Sequence, residues 1–99
     1  MKLDASPVRL ASQWRWQGDR LVVFSDASFN IQRVDLNLVG GMVWELSNGS
    51  LSGAEIATEI GRVFPDVALE TLQDAVGRFL DELEALWLLT STEALAAYE

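Results

Sequence analysis

A chain of 99 residues with neither cysteine nor histidine can form no disulfide, offers no thiolate, and has no imidazole to serve as general base or metal ligand. That length suits one domain with a modest core, and an apolar content of 49% is that of a folded globule. The net charge of −8 is unevenly held: Leu51 to Glu99 carries ten acidic and two basic residues, whereas Met1 to Ser50 carries five of each.

Met1 to Ser6 reads as a loose terminus. Val8 to Gln17 is extended in character, with Trp14 and Trp16 two apart on one face of a strand. Gly18-Asp19 is a tight turn. Arg20 to Ser25, centred on Leu21-Val22-Val23-Phe24, is a second strand. Asp26-Ala27-Ser28 turns the chain into a third strand, Phe29 to Leu36. The apolar Ile31 and Val34 of that strand are three apart, which points to a bulge or to a strand wetted on one face. Two short connections between consecutive strands predict an antiparallel meander.

The helices follow. Asn37 caps a short helix, Leu38 to Ser47, whose Gly40-Gly41 pair means that packing rather than propensity must hold it. Trp44 and Leu46 lie at its buried end, and Gly49 stops it. Ser52 and Glu55 form a capping box for a second helix, Gly53 to Val63, with Leu51 and Ile56 at the staple positions and Ile56 and Ile60 pointing inward. Pro65-Asp66 ends that helix. A third runs from Val67 or Leu69 to Leu88. Its residues Leu69, Leu72, Val76, Phe79, Leu83 and Leu86 recur at three and four, an amphipathic stripe. Thr90 to Glu93 fits another capping box, so Ser91 to Tyr98 reads as a short terminal helix or a frayed end. The fold class is therefore α+β: a three-stranded antiparallel sheet followed by a three-helix, winged-helix-like unit.

The third helix carries a second stripe. At about 100° per residue, Glu70, Asp74, Asp81 and Glu84 fall within about 80° of one another. A solvated outer face is the plain reading. The sharper one is a rim that attracts basic side chains of a bound peptide. Gly77, within the stripe, has no side chain and would admit a partner or a neighbouring helix closely.

Several function classes are excluded or disfavoured. A DNA reader neutralises phosphates with Lys and Arg, but the would-be recognition helix holds Glu70, Asp74, Asp81, Glu82 and Glu84 against Arg78 alone. No phosphate loop, dinucleotide fingerprint or EF-hand spacing is present, so no cofactor or metal is expected. Asp81 and Glu84, a turn apart on a surface, are weak candidates for acid–base work, and no catalysis is expected. There is no apolar run of the ~20 residues that span a bilayer and no signal-peptide core, which predicts a cytoplasmic protein without membrane contact.

One ordered set of residues goes further: Leu36-Asn37, Trp44-Glu45-Leu46, Gly49, Glu55-Ile56, then Ala75-Val76-Gly77-Arg78-Phe79-Leu80-Asp81-Glu82-Leu83. From about Pro7 to Leu89 the chain resembles the PqqD-like proteins, or RiPP recognition elements. The Gly40-Gly41 pair departs from that pattern, where many relatives carry better helix formers. The resemblance implies a small adaptor that binds the leader of a ribosomally made precursor peptide and presents it to a modifying enzyme, often a radical S-adenosylmethionine enzyme. The leader would add as a strand beside Asn30, Ile31, Gln32, Arg33, Val34, Asp35 and Leu36. Its apolar side chains would pack on the last helix at Leu69, Glu70, Leu72, Gln73, Asp74, Val76, Gly77 and Leu80. On this reading residues 1–6 are a flexible terminus, 7–89 the recognition domain and 90–99 a tail. A structural subunit of the enzyme complex that binds no leader, and an acidic winged-helix regulator, are the alternatives.

Overall fold

The computed structural model describes residues 1–10, 13–25 and 32–97; the expected turn at 26–28 and residues 29–31 of the third strand lie outside them. Among the described residues the chain runs β1 (Pro7–Arg9), β2 (Gln13–Gln17), β3 (Arg20–Ser25), β4 (Gln32–Leu36), α1 (Leu38–Leu46), α2 (Gly53–Val63), α3 (Leu69–Ala85), β5 (Leu89–Ser91) and α4 (Thr92–Ala96). The architecture is α+β with antiparallel sheets.

β2, β3 and β4 form a meander in that order. Gln17 pairs with Arg20 across a turn in which Gly18 takes φ +63°, a left-handed conformation that glycine adopts without strain. The β3–β4 register runs unbroken from Leu21 opposite Leu36 to Ser25 opposite Gln32, so the described part of the third strand has no bulge.

The expected first strand is divided, and this corrects the sequence reading. Pro7–Arg9 belongs to a second sheet, in which β1 pairs antiparallel with β5. β5 lies where the third helix was expected to end. That helix stops at Ala85, closed by bonds from Trp87 N–H to Glu84 O (3.0 Å) and Leu88 N–H to Leu83 O (3.0 Å). This pair is a Schellman closure, and it frees Leu88 and Leu89 to be buried as the chain turns into β5. A fourth helix, α4, is capped by Ser91, whose Oγ accepts from Ala94 N–H at 3.1 Å, one position later than the box read from Thr90.

The other caps fall where their residues place them. Asn37 Oδ1 accepts from Gly40 N–H at 2.8 Å. Ser52 Oγ accepts from Glu55 N–H at 3.2 Å while Glu55 Oε1 accepts from Ser52 N–H at 3.0 Å, the reciprocal box at the start of α2. Two more first-turn donors of α2 are met by the N-terminal segment: Ala54 N–H donates to Leu3 O and Gly53 N–H to Ala5 O. Residues 1–6, read as loose, thus lie against α2 and α3, with Leu3 packed on the core.

The core is built around Trp44, fully buried with Leu21, Ile56, Ile60, Leu80 and Leu83. Trp14 meets it edge-to-face at 5.8 Å. Arg9 ties β1 to the same place. Its Nη1 donates to the carbonyls of Glu45 (2.6 Å) and of Trp44 (2.9 Å), the latter also accepting from Ser47 N–H, and its guanidinium lies 4.8 Å from the Trp14 ring centroid.

The glycine pair of α1 has a packing reason. A Cβ on Gly40 would stand 2.6 Å from Phe79 Cε1 of α3. A Cβ on Gly41 would overlap Trp16 Cη2 and stand 3.0 Å from Leu21 Cβ. The helix is thin where the sheet and α3 press on it from two sides. Gly41→Ala should therefore lower stability by about 1–3 kcal/mol through overpacking, although alanine is the better helix former by about 1 kcal/mol. Thermal unfolding measures it, and an unchanged midpoint would mean that α1 can lift from the sheet without loss.

Candidate peptide-binding site

The strand order leaves β4 at the edge of its sheet, with no described strand on its outer side. Such an edge presents a row of backbone donors and acceptors that an extended chain can pair with. Of the residues expected to line it, Gln32 to Leu36 form β4, and Asn30 and Ile31 lie outside the described residues. Leu36 is buried and Val34 half-buried against the core, while Arg33 and Asp35 face outward. Arg33 Nε donates to Asp35 Oδ1 at 2.9 Å. That bond holds the Asp35 carboxyl below its ordinary pKa and raises that of the Arg33 guanidinium. Both side chains are exposed, so the pair orders the strand surface more than it stabilises the fold.

Where β4 gives way to α1, a cleft of about 230 Å³ opens between Asn37 and α3. Its α3 wall is Ala75, Arg78, Phe79 and Glu82, the i, i+3, i+4, i+7 set that one helix face presents. Both walls are fixed from behind. Asn37 is held by the cap bond to Gly40, and the Phe79 ring is seated against the bare Cα of Gly40.

The expected α3 residues divide differently. Leu72, Val76 and Leu80 are buried in the core and present nothing to a ligand, because the apolar stripe that marks them is the one that packs the helix down. Leu69 and Glu70 are exposed at the start of α3, and Asp74 is exposed a turn later. Helical geometry sets the stripe of Glu70, Asp74, Asp81 and Glu84 about 120° round the helix from the cleft wall. Its C-terminal half is met by the chain itself: the Met1 ammonium donates to Asp81 Oδ1 (2.6 Å) and Glu84 Oε1 (3.2 Å), and the bond to Asp81 is the main reason the ammonium's pKa is raised. Gly77 and the half-buried Gln73 lie on this flank too, and an added Cβ on Gly77 would meet Leu3 at 3.9 Å. That is an ordinary contact distance, so the N-terminal segment lies over Gly77 without needing its missing side chain.

A family model described as coenzyme PQQ synthesis protein D (PqqD) matches residues 22–89, well over half of the sequence. The chain belongs to the PqqD family. The match begins inside β3 and ends on the first residue of β5, so β4, its open edge and all of α3 fall within it. Membership makes this PqqD-family chain a small accessory protein of coenzyme PQQ or related ribosomal-peptide biosynthesis. No curated protein and no solved structure matches it. Among the described residues no helix is long and apolar enough to cross a membrane.

Ala75, Arg78, Phe79 and Glu82 were not singled out as a site in the sequence. Their spacing was visible, with Phe79 on the border of the apolar stripe. Which border faces the strand depends on how α3 lies across α1, and no local pattern carries that.

Proposed function

We propose that this chain is a non-catalytic adaptor. It takes the leader of a ribosomally made precursor peptide as an added strand along β4 and presents it to a modifying enzyme of the radical S-adenosylmethionine class. The observation that carries the reading is the open edge of β4 leading into the Asn37–Phe79 cleft. Backbone pairing along Gln32 to Leu36 supplies affinity that tolerates many sequences. The Phe79 ring and Ala75 supply an apolar seat that sets register. Arg78 and Glu82, one turn apart and exposed at the cleft, choose side chains of opposite sign. Family membership supports an accessory role, and the lack of histidine and cysteine supports the lack of turnover.

The test compares two charge reversals by titration calorimetry with the leader peptide at low and high salt. Arg78→Glu with Glu82→Lys should weaken binding by about tenfold, a change of about 1.4 kcal/mol, and alter its salt dependence. Glu70→Lys with Asp74→Lys should leave affinity within about twofold, because that stripe faces away from the cleft. The opposite ranking would move the leader to the acidic flank. Binding of no leader by the free chain would reject the adaptor reading in favour of a purely structural subunit.

A further inference from the structure

Residue Trp87 stands at φ +61°, the one non-glycine residue in the left-handed region among those described, and its side chain is 73% exposed. It fills the position after the cap of α3 in the Schellman closure, where glycine is favoured because any Cβ is strained there. A tryptophan at that position meets strain and also leaves a large apolar ring in water. Neither is explained by packing, since most of the ring is uncovered. Backbone strain held in place by the surrounding fold is a pointer to function.

The ring borders a cleft of about 530 Å³ walled by Leu10, Leu89, Ala94 and Leu95, with Glu84 at its margin. Leu10 and Leu95 are themselves more than 40% exposed. The cleft lies between the end of α3, β5 and α4, and shares no lining residue with the Asn37–Phe79 cleft. Its charge surroundings are acidic on balance. Glu84 lines it, Glu93 lies on α4 and Asp81 precedes it on α3; the Met1 ammonium, bonded to Asp81 and Glu84, offsets one of these three charges, and the guanidinium of nearby Arg9 is turned to the end of α1. Leu51 to Glu99 carries the whole net charge of −8. A second copy of the chain seated here would set that acidic half against itself, which disfavours self-association.

We propose that the Trp87 cleft is a second docking surface, which takes a partner protein through an apolar helical face rimmed by lysine and arginine. Trp87 is the anchor: a large amphipathic ring held clear of the surface by its own backbone, of the residue type that dominates interface energetics. The acidic surround steers a basic partner and rejects a second copy. That the partner is the modifying enzyme rests on the adaptor reading; the surface and its chemistry do not.

The experiment uses the full chain and two designed amphipathic helical peptides, one with a leucine face and lysine rim, the other with the same leucine face and a glutamate rim. Backbone amide shifts are followed during titration. The lysine-rimmed peptide should bind with shifts centred on Trp87, Leu89 and Leu95, and the glutamate-rimmed peptide at least tenfold more weakly. Trp87→Gly should weaken the lysine-rimmed peptide by about 30-fold, as loss of an anchor does. The same variant should raise the melting temperature by about 4–8 °C through relief of the left-handed strain. Leader affinity at the other cleft should be unchanged in Trp87→Gly, which keeps a failure here distinct from a failure of the adaptor reading. Equal binding of the two peptides, shifts centred elsewhere, an unaffected or destabilised Trp87→Gly, or a dimer by sedimentation of the chain alone would each overturn the proposal.

Discussion

Trp44→Ala is expected to lower stability by about 3–5 kcal/mol, a large share of the ~5–15 kcal/mol available to a small domain. The residue is fully buried, it touches Trp14 edge-to-face, and its carbonyl receives Arg9. Removing the indole leaves a cavity among α1, β2 and the helices behind them. Collapse cannot fill it cheaply, because Gly41 already holds α1 against Leu21 and Trp16. The indole Nε1 adds a second expectation. It is buried without a hydrogen-bond partner among the described residues. Trp44→Phe removes that unanswered donor and keeps most of the apolar contact, so it should cost far less than alanine. Chemical denaturation of both variants reads the difference in midpoint. If phenylalanine were as damaging as alanine, the indole nitrogen would have to be satisfied by something the fold supplies, and the packing account would fail.

The second large effect concerns the edge of β4. Successive residues of a strand turn their N–H groups to opposite sides, so of Arg33 and Val34 one donates towards β3 and the other to the open edge. Proline removes the donor and fixes φ, and is tolerated in a sheet only where that donor faces away from the ladder. Arg33→Pro and Val34→Pro should therefore separate. One should unfold at markedly lower temperature. The other should stay folded and lose leader affinity by about tenfold or more, the equivalent of a backbone hydrogen bond plus the misfit around it. Thermal unfolding and leader titration on the same two samples make the comparison internal. Two variants that both fold and both bind would show that the leader does not pair with β4.

Local chemistry made much of this fold readable. The bounds of β3 and α2, the box at Ser52 and Glu55, the cap at Asn37 and the turn at Gly18 each depend on residues within a few positions of one another. The two helical glycines looked like a weakness because propensity counts what a residue lacks; only the packed structure shows Phe79 and Trp16 standing where their side chains would be. β5 was illegible for a different reason. Leu88 and Leu89 continue an apolar run that a helix would equally use, and their partner strand lies near the other end of the sequence. The site divided along the same line. The strand edge follows from the order of the meander, whereas the wall of the cleft follows from the roll of α3, set by Leu72, Val76 and Leu80 sinking into the core.

The pairing of Pro7–Arg9 with Leu89–Ser91 also bears on how the chain reaches this state. The partners lie about 80 positions apart, so closing them costs more chain entropy than any hairpin or helix contact in the molecule. On the ribosome β1 must wait for about 80 further residues before its mate exists. The meander and the three larger helices hold the local contacts and can assemble first, with the two-stranded sheet joining last as a latch. Unfolding that speeds when Val8 or Leu89 is weakened, with the folding rate nearly unchanged, would be the kinetic signature of a late-closing seam.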